Sequence, residues 1–143
     1  MKLPNQAFSP KTEDFMATLL KELQFKTAND VGVLSEVTQA LKESHVNLLH
    51  AWACGEGSAG FFGIVTNNNA RAKIALKKLG IRAKESEVLA LNLPNRTGEL
   101  AKIAKKLAKA RINITGVSAT SAKGNRVSVL INTKNNQKAK RII

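Results

Sequence analysis

Leu89-Ala90-Leu91-Asn92-Leu93-Pro94-Asn95-Arg96-Thr97-Gly98-Glu99-Leu100 passes from alternating apolar residues into a polar loop that ends in Gly-x-Leu. The same order stands 66 residues earlier, as Leu23-Gln24-Phe25-Lys26-Thr27-Ala28-Asn29-Asp30-Val31-Gly32-Val33-Leu34. In this register Leu23, Asn29, Gly32, Leu34, Leu41, Asn47 and Ala53 meet identical residues at 89, 95, 98, 100, 107, 113 and 119. Phe25/Leu91, Val37/Ile103, Val46/Ile112 and Leu48/Ile114 are like-for-like apolar pairs. With one extra residue in the second copy, Asn68-Asn69-Ala70-Arg71-Ala72-Lys73 then meets Asn135-Asn136-Gln137-Lys138-Ala139-Lys140. Agreement at matched apolar and turn positions marks a tandem duplication.

Each copy has the same grammar. Alternation predicts a first strand over Leu20–Thr27 and again over Val88–Leu93. After the loop, Leu100, Ile103, Ala104 and Leu107 recur at helical spacing, with Lys102, Lys105, Lys106 and Lys109 on the other face. Leu34, Val37, Thr38 and Leu41 take that part in copy one. Two strands follow in each copy, Val46–Ala53 with Gly60–Thr66 and Ile112–Ala119 with Arg126–Ile131, joined by Gly- and Ser-containing turns. A helix from Asn69 to Leu79 stops at Gly80, and a short strand Ile81–Lys84 leads onward.

That order is β-α-β-β-α-β, an α+β class built of two ferredoxin-like units in tandem. The expected division is an extension over residues 1–17, a first unit over 18–85 and a second over 86–143, with the extension flexible. Copy two stops at Ile143, which matches Leu76, so it lacks its last strand. Either the natural chain runs on, or another segment fills that edge.

At 143 residues the chain is long enough for a sizeable core, whereas two separate halves of about 65 residues would be marginal alone. No apolar run approaches the roughly 18 residues of a membrane span, and no signal peptide is recognisable. A single cysteine, Cys54, excludes an internal disulfide framework and a cysteine-based metal site, and reducing cytoplasm is the expected compartment. The formal charge of +13 is uneven, with eleven Lys/Arg and no Asp or Glu after Glu99. Such a surface attracts polyanions, although a run of charge is most often a solvated face.

The loops Asn29-Asp30-Val31-Gly32-Val33-Leu34 and Asn95-Arg96-Thr97-Gly98-Glu99-Leu100 are the candidate site. Asn or Asp ahead of a helix can cap its free N–H groups, and Gly lets the backbone approach a neighbour closely. The first helical amides and the positive end of the helix dipole suit a carboxylate. Seen once, Asn-x-x-Gly is a cap-and-turn device; seen twice at matched places, it carries information.

These loops, with Val46-Asn47-Leu48 and Ile112-Asn113-Ile114, resemble those of ACT domains over residues 18–143. The layout is similar to small stand-alone tandem ACT proteins that have no catalytic domain. The resemblance implies a regulatory protein that binds a small amino acid between neighbouring ACT units, through residues 29–34 and 95–100. It implies a homo-oligomer such as a dimer, a regulated partner protein, and no cofactor, metal or catalytic residue. Two departures stand out: Asp30 occupies a position where a basic residue is common, and neither loop has the frequent Pro before Gly.

Enzyme readings fail on counting, because His45 and His50 have no Cys, Asp or Glu at ligand spacing and no nucleophile elbow or phosphate-binding loop occurs. Glu85 and Glu87 read as solvated charges on a connection. The rival from another class is RNA binding, because RNA-recognition domains share this element order and stack bases on strand aromatics. Phe61 and Phe62 are adjacent, so they face opposite ways and one belongs to the core. Copy two has Arg126-Val127-Ser128-Val129 there, with no aromatic. Glu36, Gln39, Ala40 and Glu43 face, in register, Lys102, Lys105, Lys106 and Lys109, a contrast that would suit a head-to-tail dimer.

Overall fold

The computed structural model describes residues 17–121 and 124–143, so the expected flexible extension lies, apart from Ala17, outside the described residues. The element order is β1 (Thr18–Ala28), α1 (Val33–Glu43), β2 (Leu48–Glu56), β3 (Ala59–Thr66) and α2 (Asn69–Lys78), then β4 (Lys84–Pro94), α3 (Glu99–Lys109), β5 (Ile114–Ser121), β6 (Arg126–Thr133) and α4 (Asn136–Ile142). Two compact units divide the chain: one is Lys21–Ser86, and the other is Glu87–Ile143 joined by residues 17–20.

In the Lys21–Ser86 unit, β3 pairs antiparallel with both β1 and β2. Alternation along β1 and β3 places Leu23 opposite Ile64 and Phe25 opposite Phe62, all on one face. Phe25 and Phe62 stack with centroids 4.9 Å apart. Val37 and Leu41 of α1 and Ala72, Ala75 and Leu76 of α2 close over this face. Leu34 does not join them as its spacing suggested; it is 59% exposed, and its counterpart Leu100 is 41% exposed. Phe61 looks the other way, with the Lys26 ammonium 5.8 Å from its ring centre.

The opposite face of this sheet is polar and tightly fitted. Glu22 is fully buried, and its carboxylate accepts from the Gln24 amide at 2.7 Å and the Trp52 indole N–H at 3.1 Å. Trp52 lies across Gly63, its partner in register, so the indole covers its own sheet. His50 flanks Val65 in the same register, and burial pushes its imidazole below the ordinary value while the Glu22 charge pulls it up.

In the other unit β6 pairs antiparallel with β4 and β5. Leu89, Leu91, Ile131 and Val129 meet Ile103 and Leu107 of α3 and Ala139 of α4 in a second core. Ala17 and Leu19 pack against this core. Residues 17–20 therefore contribute to the unit formed by Glu87–Ile143.

Helix exits explain where the strands begin. Val46 N–H donates back to Leu41 O and Ile112 N–H to Leu107 O, each at 2.9 Å, so strands expected from Val46 and Ile112 start two residues later. Ile81 N–H likewise donates to Leu76 O at 3.0 Å, and the strand expected over Ile81–Lys84 begins only at Lys84. Each exit has a left-handed residue, His45 (φ 54°), Gly80 (φ 74°) or Arg111 (φ 56°), completing a Schellman turn.

A Cβ at Gly63 would stand 2.1 Å from the Trp52 indole nitrogen, whereas one at Gly116 would meet nothing nearer than 3.6 Å. Gly63→Ala is expected to destabilise the protein by about 1–3 kcal/mol, while Gly116→Ala stays within about 0.5 kcal/mol of wild type. Urea unfolding followed by Trp52 fluorescence checks both; equal midpoints for the two variants contradict the Trp52–Gly63 packing.

Candidate functional site

The two strand-to-helix loops have one backbone geometry. Gly32 precedes α1 at φ 95°, ψ −12°, and Gly98 precedes α3 at φ 87°, ψ −1°. A Cβ at either would meet nothing within 4 Å, so the requirement is for left-handed backbone alone. Val33 N–H donates to Asp30 O and Glu99 N–H to Arg96 O, both at 3.4 Å. Glu36 N–H reaches Gly32 O and Lys102 N–H reaches Gly98 O, both at 3.0 Å. Between them the amides of Leu34, Ser35, Leu100 and Ala101 have no acceptor among the described residues.

Neither helix has a side-chain cap, which corrects the expectation for Asn29 and Asn95. Asn29 instead binds the β2–β3 turn, its N–H donating to Ser58 O and its Nδ2 to Gly57 O, both at 3.0 Å. A Cβ at Gly55 would lie 2.6 Å from that amide, so Gly55 makes room for it. Asn95 N–H makes the matching bond to Asn125 O at 2.7 Å. Both asparagines hold the end of a first strand to a hairpin turn. The helix starts are left bare because their cap residues are glycines.

The side chains around the loops differ sharply between units. In the Lys21–Ser86 unit, Asp30, Val31 and Leu34 are exposed, Val31 fully so, and Val33 packs against the core. The cavity there is small, about 180 Å³, and is lined by Asn29, Asp30, Val33, Leu34, Cys54 and Phe62 among others. In the other unit a groove of about 780 Å³ is lined by Asn95, Arg96, Glu99, Lys102, Lys106 and Arg126, with Pro94, Ile103, Gly124 and Asn125. Thr97 is exposed but does not line it.

Glu99 anchors this groove and is only 7% exposed. Its Oε1 lies 3.0 Å from Lys102 Nζ and 3.1 Å from Arg96 Nη2. The Lys102 hydrogen bond holds the carboxyl below its ordinary value, burial opposes this, and the Lys102 and Arg96 charges add to the lowering. Sequence reasoning assigned Arg96 and Glu99 to the loop site, set Lys102 and Lys106 only on the basic helix face, and gave Arg126 no part in it. The 96/99/102 spacing signals one helical face, whereas Arg126 arrives from β6 with no local signal.

His45 and His50 stay apart in role, one at the α1 exit and one on β2. Glu85 accepts from the Asn69 amide at 3.1 Å, and Glu87 from the Gln137 amide at 3.3 Å, so each has a partner of its own. Among the described residues no three His, Cys, Asp or Glu side chains gather as a metal site, and no helix is long and apolar enough to cross a membrane.

Two ferredoxin-like units, each with an uncapped glycine start to its first helix, define an α+β protein of two tandem domains. The chain belongs to the ACT domain pair family, which it matches over residues 18–143. ACT domains are regulatory modules, so the role that follows is regulatory. A protein from Bacteroides thetaiotaomicron is 25% identical, with a TM-score of 0.80 over 88% of this chain and 87% of that one. The ligand-free regulatory subunit of aspartate kinase from Thermus thermophilus is 18% identical, with a TM-score of 0.62 over 88% and 93%. Aspartate kinase from Clostridium acetobutylicum is 16% identical, with a TM-score of 0.59, over 89% of this chain and 33% of that enzyme. The two kinases share the fold. Curated proteins contain no significant match.

The lowered Glu99 value has a sign that can be tested. A carboxylate whose folded value is depressed stabilises the fold above its ordinary value, and that stability is lost as pH falls through the folded value. Glu99→Gln is therefore expected to be less stable than wild type near neutral pH, with the gap closing towards about pH 3. Urea melts at both pH values check this; a gap that does not change with pH assigns the effect to packing instead.

Proposed function

We propose that this protein is a non-catalytic sensor that binds a small amino acid at the loops opened by Gly32 and Gly98 and passes the bound state to a partner protein. One observation carries the reading: both copies present a helix start with no side-chain cap and amides with no acceptor among the described residues. A ligand carboxylate meets those amides, helped by the positive end of each helix. In the first unit the exposed Asp30 carboxylate accepts from the ligand ammonium group. Asn29 and Asn95 hold the loops in shape rather than touching the ligand through a cap.

Val31, Leu34 and Leu100 are exposed apolar side chains beside these helix starts. They suit a neighbouring ACT unit that closes over the ligand, so the working form is a homo-oligomer, with a dimer as the smallest. The exposed free thiol of Cys54 fits a reducing cytoplasm. RNA binding is disfavoured by Trp52, whose indole covers Gly63 and donates to Glu22.

A thermal-shift panel of the twenty amino acids at moderate salt, with a short RNA in parallel, tests the reading. A ligand at about 100 times its Kd stabilises the fold by roughly 2.7 kcal/mol, a midpoint shift of several degrees. The expected result is a shift with one or two amino acids that Asp30→Ala or Gly98→Ala reduces. A flat panel with a salt-sensitive RNA response overturns it.

A further inference from the structure

We propose that the groove of the Glu87–Ile143 unit selects a small ligand carrying two anionic groups, while the matched loop of the Lys21–Ser86 unit does not. The proposal rests on the reading that these loops are ligand sites, and it names the ligand class for one of them. Four cationic residues line the groove, Arg96, Lys102, Lys106 and Arg126, against one acidic residue, Glu99. Glu99 is buried and already accepts from both Arg96 and Lys102, so it is not available to an incoming ammonium group. The Arg96 and Lys102 side chains remain 70% and 65% exposed, and each keeps further donors than the one Glu99 uses. Arg126 has no ion-pair partner among the described residues, and it lines the same groove from the start of β6, where it pairs with Pro94.

Size agrees with charge. About 780 Å³ falls within the roughly 300–1,000 Å³ of small-molecule sites. The first unit supplies an internal contrast on the same backbone. At the positions of Arg96, Glu99, Lys102, Lys106 and Arg126 it has Asp30, Val33, Glu36, Ala40 and Ala59, so no cation stands there and the cavity is about 180 Å³. Anionic groups at two ends of one ligand match cations brought from both α3 and β6, which a ligand with a single carboxylate would leave half used.

The test is calorimetric titration of the full chain with aspartate, asparagine, succinate and inorganic pyrophosphate, alongside Arg126→Ala and Lys109→Ala. Lys109 is an exposed α3 cation outside the groove, so it controls for general attraction to the basic surface. Aspartate or succinate is expected to bind at least about tenfold more tightly than asparagine, and Arg126→Ala to weaken it roughly tenfold, as for one charge-assisted hydrogen bond. Lys109→Ala should leave the affinity unchanged. Tighter binding of pyrophosphate than of succinate identifies a phosphorylated source for the two anionic groups and still supports the proposal. Equal binding of aspartate and asparagine overturns it, as does an equal loss in Lys109→Ala and Arg126→Ala, or no binding of any dianion. Neutral amino acids that bind while dianions do not would sink this proposal and leave the amino-acid reading standing. Dianions that bind while the amino-acid panel is flat would do the reverse.

Discussion

The Asn69 side chain ties together three parts of one unit. Its Oδ1 accepts from the Thr66 hydroxyl at 2.7 Å at the end of β3, and its Nδ2 donates to Lys21 O on β1 at 3.1 Å. Beside it, the Asn68 side chain caps α2 by accepting from Arg71 N–H at 3.0 Å, while Thr66 Oγ1 accepts from Asn68 N–H at 3.1 Å. The second unit repeats every bond. Thr133 donates to Asn136 at 2.7 Å, Asn136 donates to Glu87 O at 2.7 Å, and Asn135 accepts from Lys138 N–H at 3.0 Å. Each network sets the start of a second helix against the strand that leads to the glycine loop. Given that placement, the helix can close over its side of the sheet. An amide side chain is suited to the task because it donates and accepts at once in a partly buried place.

From this shared frame the two halves diverge in chemistry while keeping their backbone. The glycines at 32 and 98 differ by less than ten degrees in φ, and the flanking hydrogen bonds match in length. What separates the halves is charge. Val33 tucks into an apolar core in one copy, whereas Glu99 at the matched position is buried between two cations in the other. Taking a carboxylate out of water costs several kcal/mol unless donors meet it, so Arg96 and Lys102 are required by Glu99 as much as they serve any ligand.

The polar face of the first sheet follows a different logic. Glu22 is buried beneath Trp52 and Gln24, and Gly63 exists to let the indole lie flat. The structure gives Trp52 a neighbour in its own sheet and a carboxylate for its N–H. A lone aromatic on a strand has no pattern that tells which side it covers, since that depends on what the strand opposite lacks.

Sequence alone determined the duplication, the element order and the two glycine loops, because each rests on local rules: alternation for strands, a 3.6-residue period for helices, and a left-handed residue where a helix must start or stop. Where it missed, a longer-range bond had won. Strands began late at Leu48, Lys84 and Ile114 because the preceding N–H groups turned back to the helices. Asn29 and Asn95 looked like caps, but Gly32 and Gly98 hold the cap positions, and the asparagine N–H groups bond the hairpin turns at Ser58 and Asn125. Only tertiary structure could bring Arg126 to the groove beside Arg96, or carry Ala17 and Leu19 into the unit that ends at Ile143. Such meetings join residues far apart in the chain, and they are settled by which apolar faces must be covered, a requirement no local pattern records.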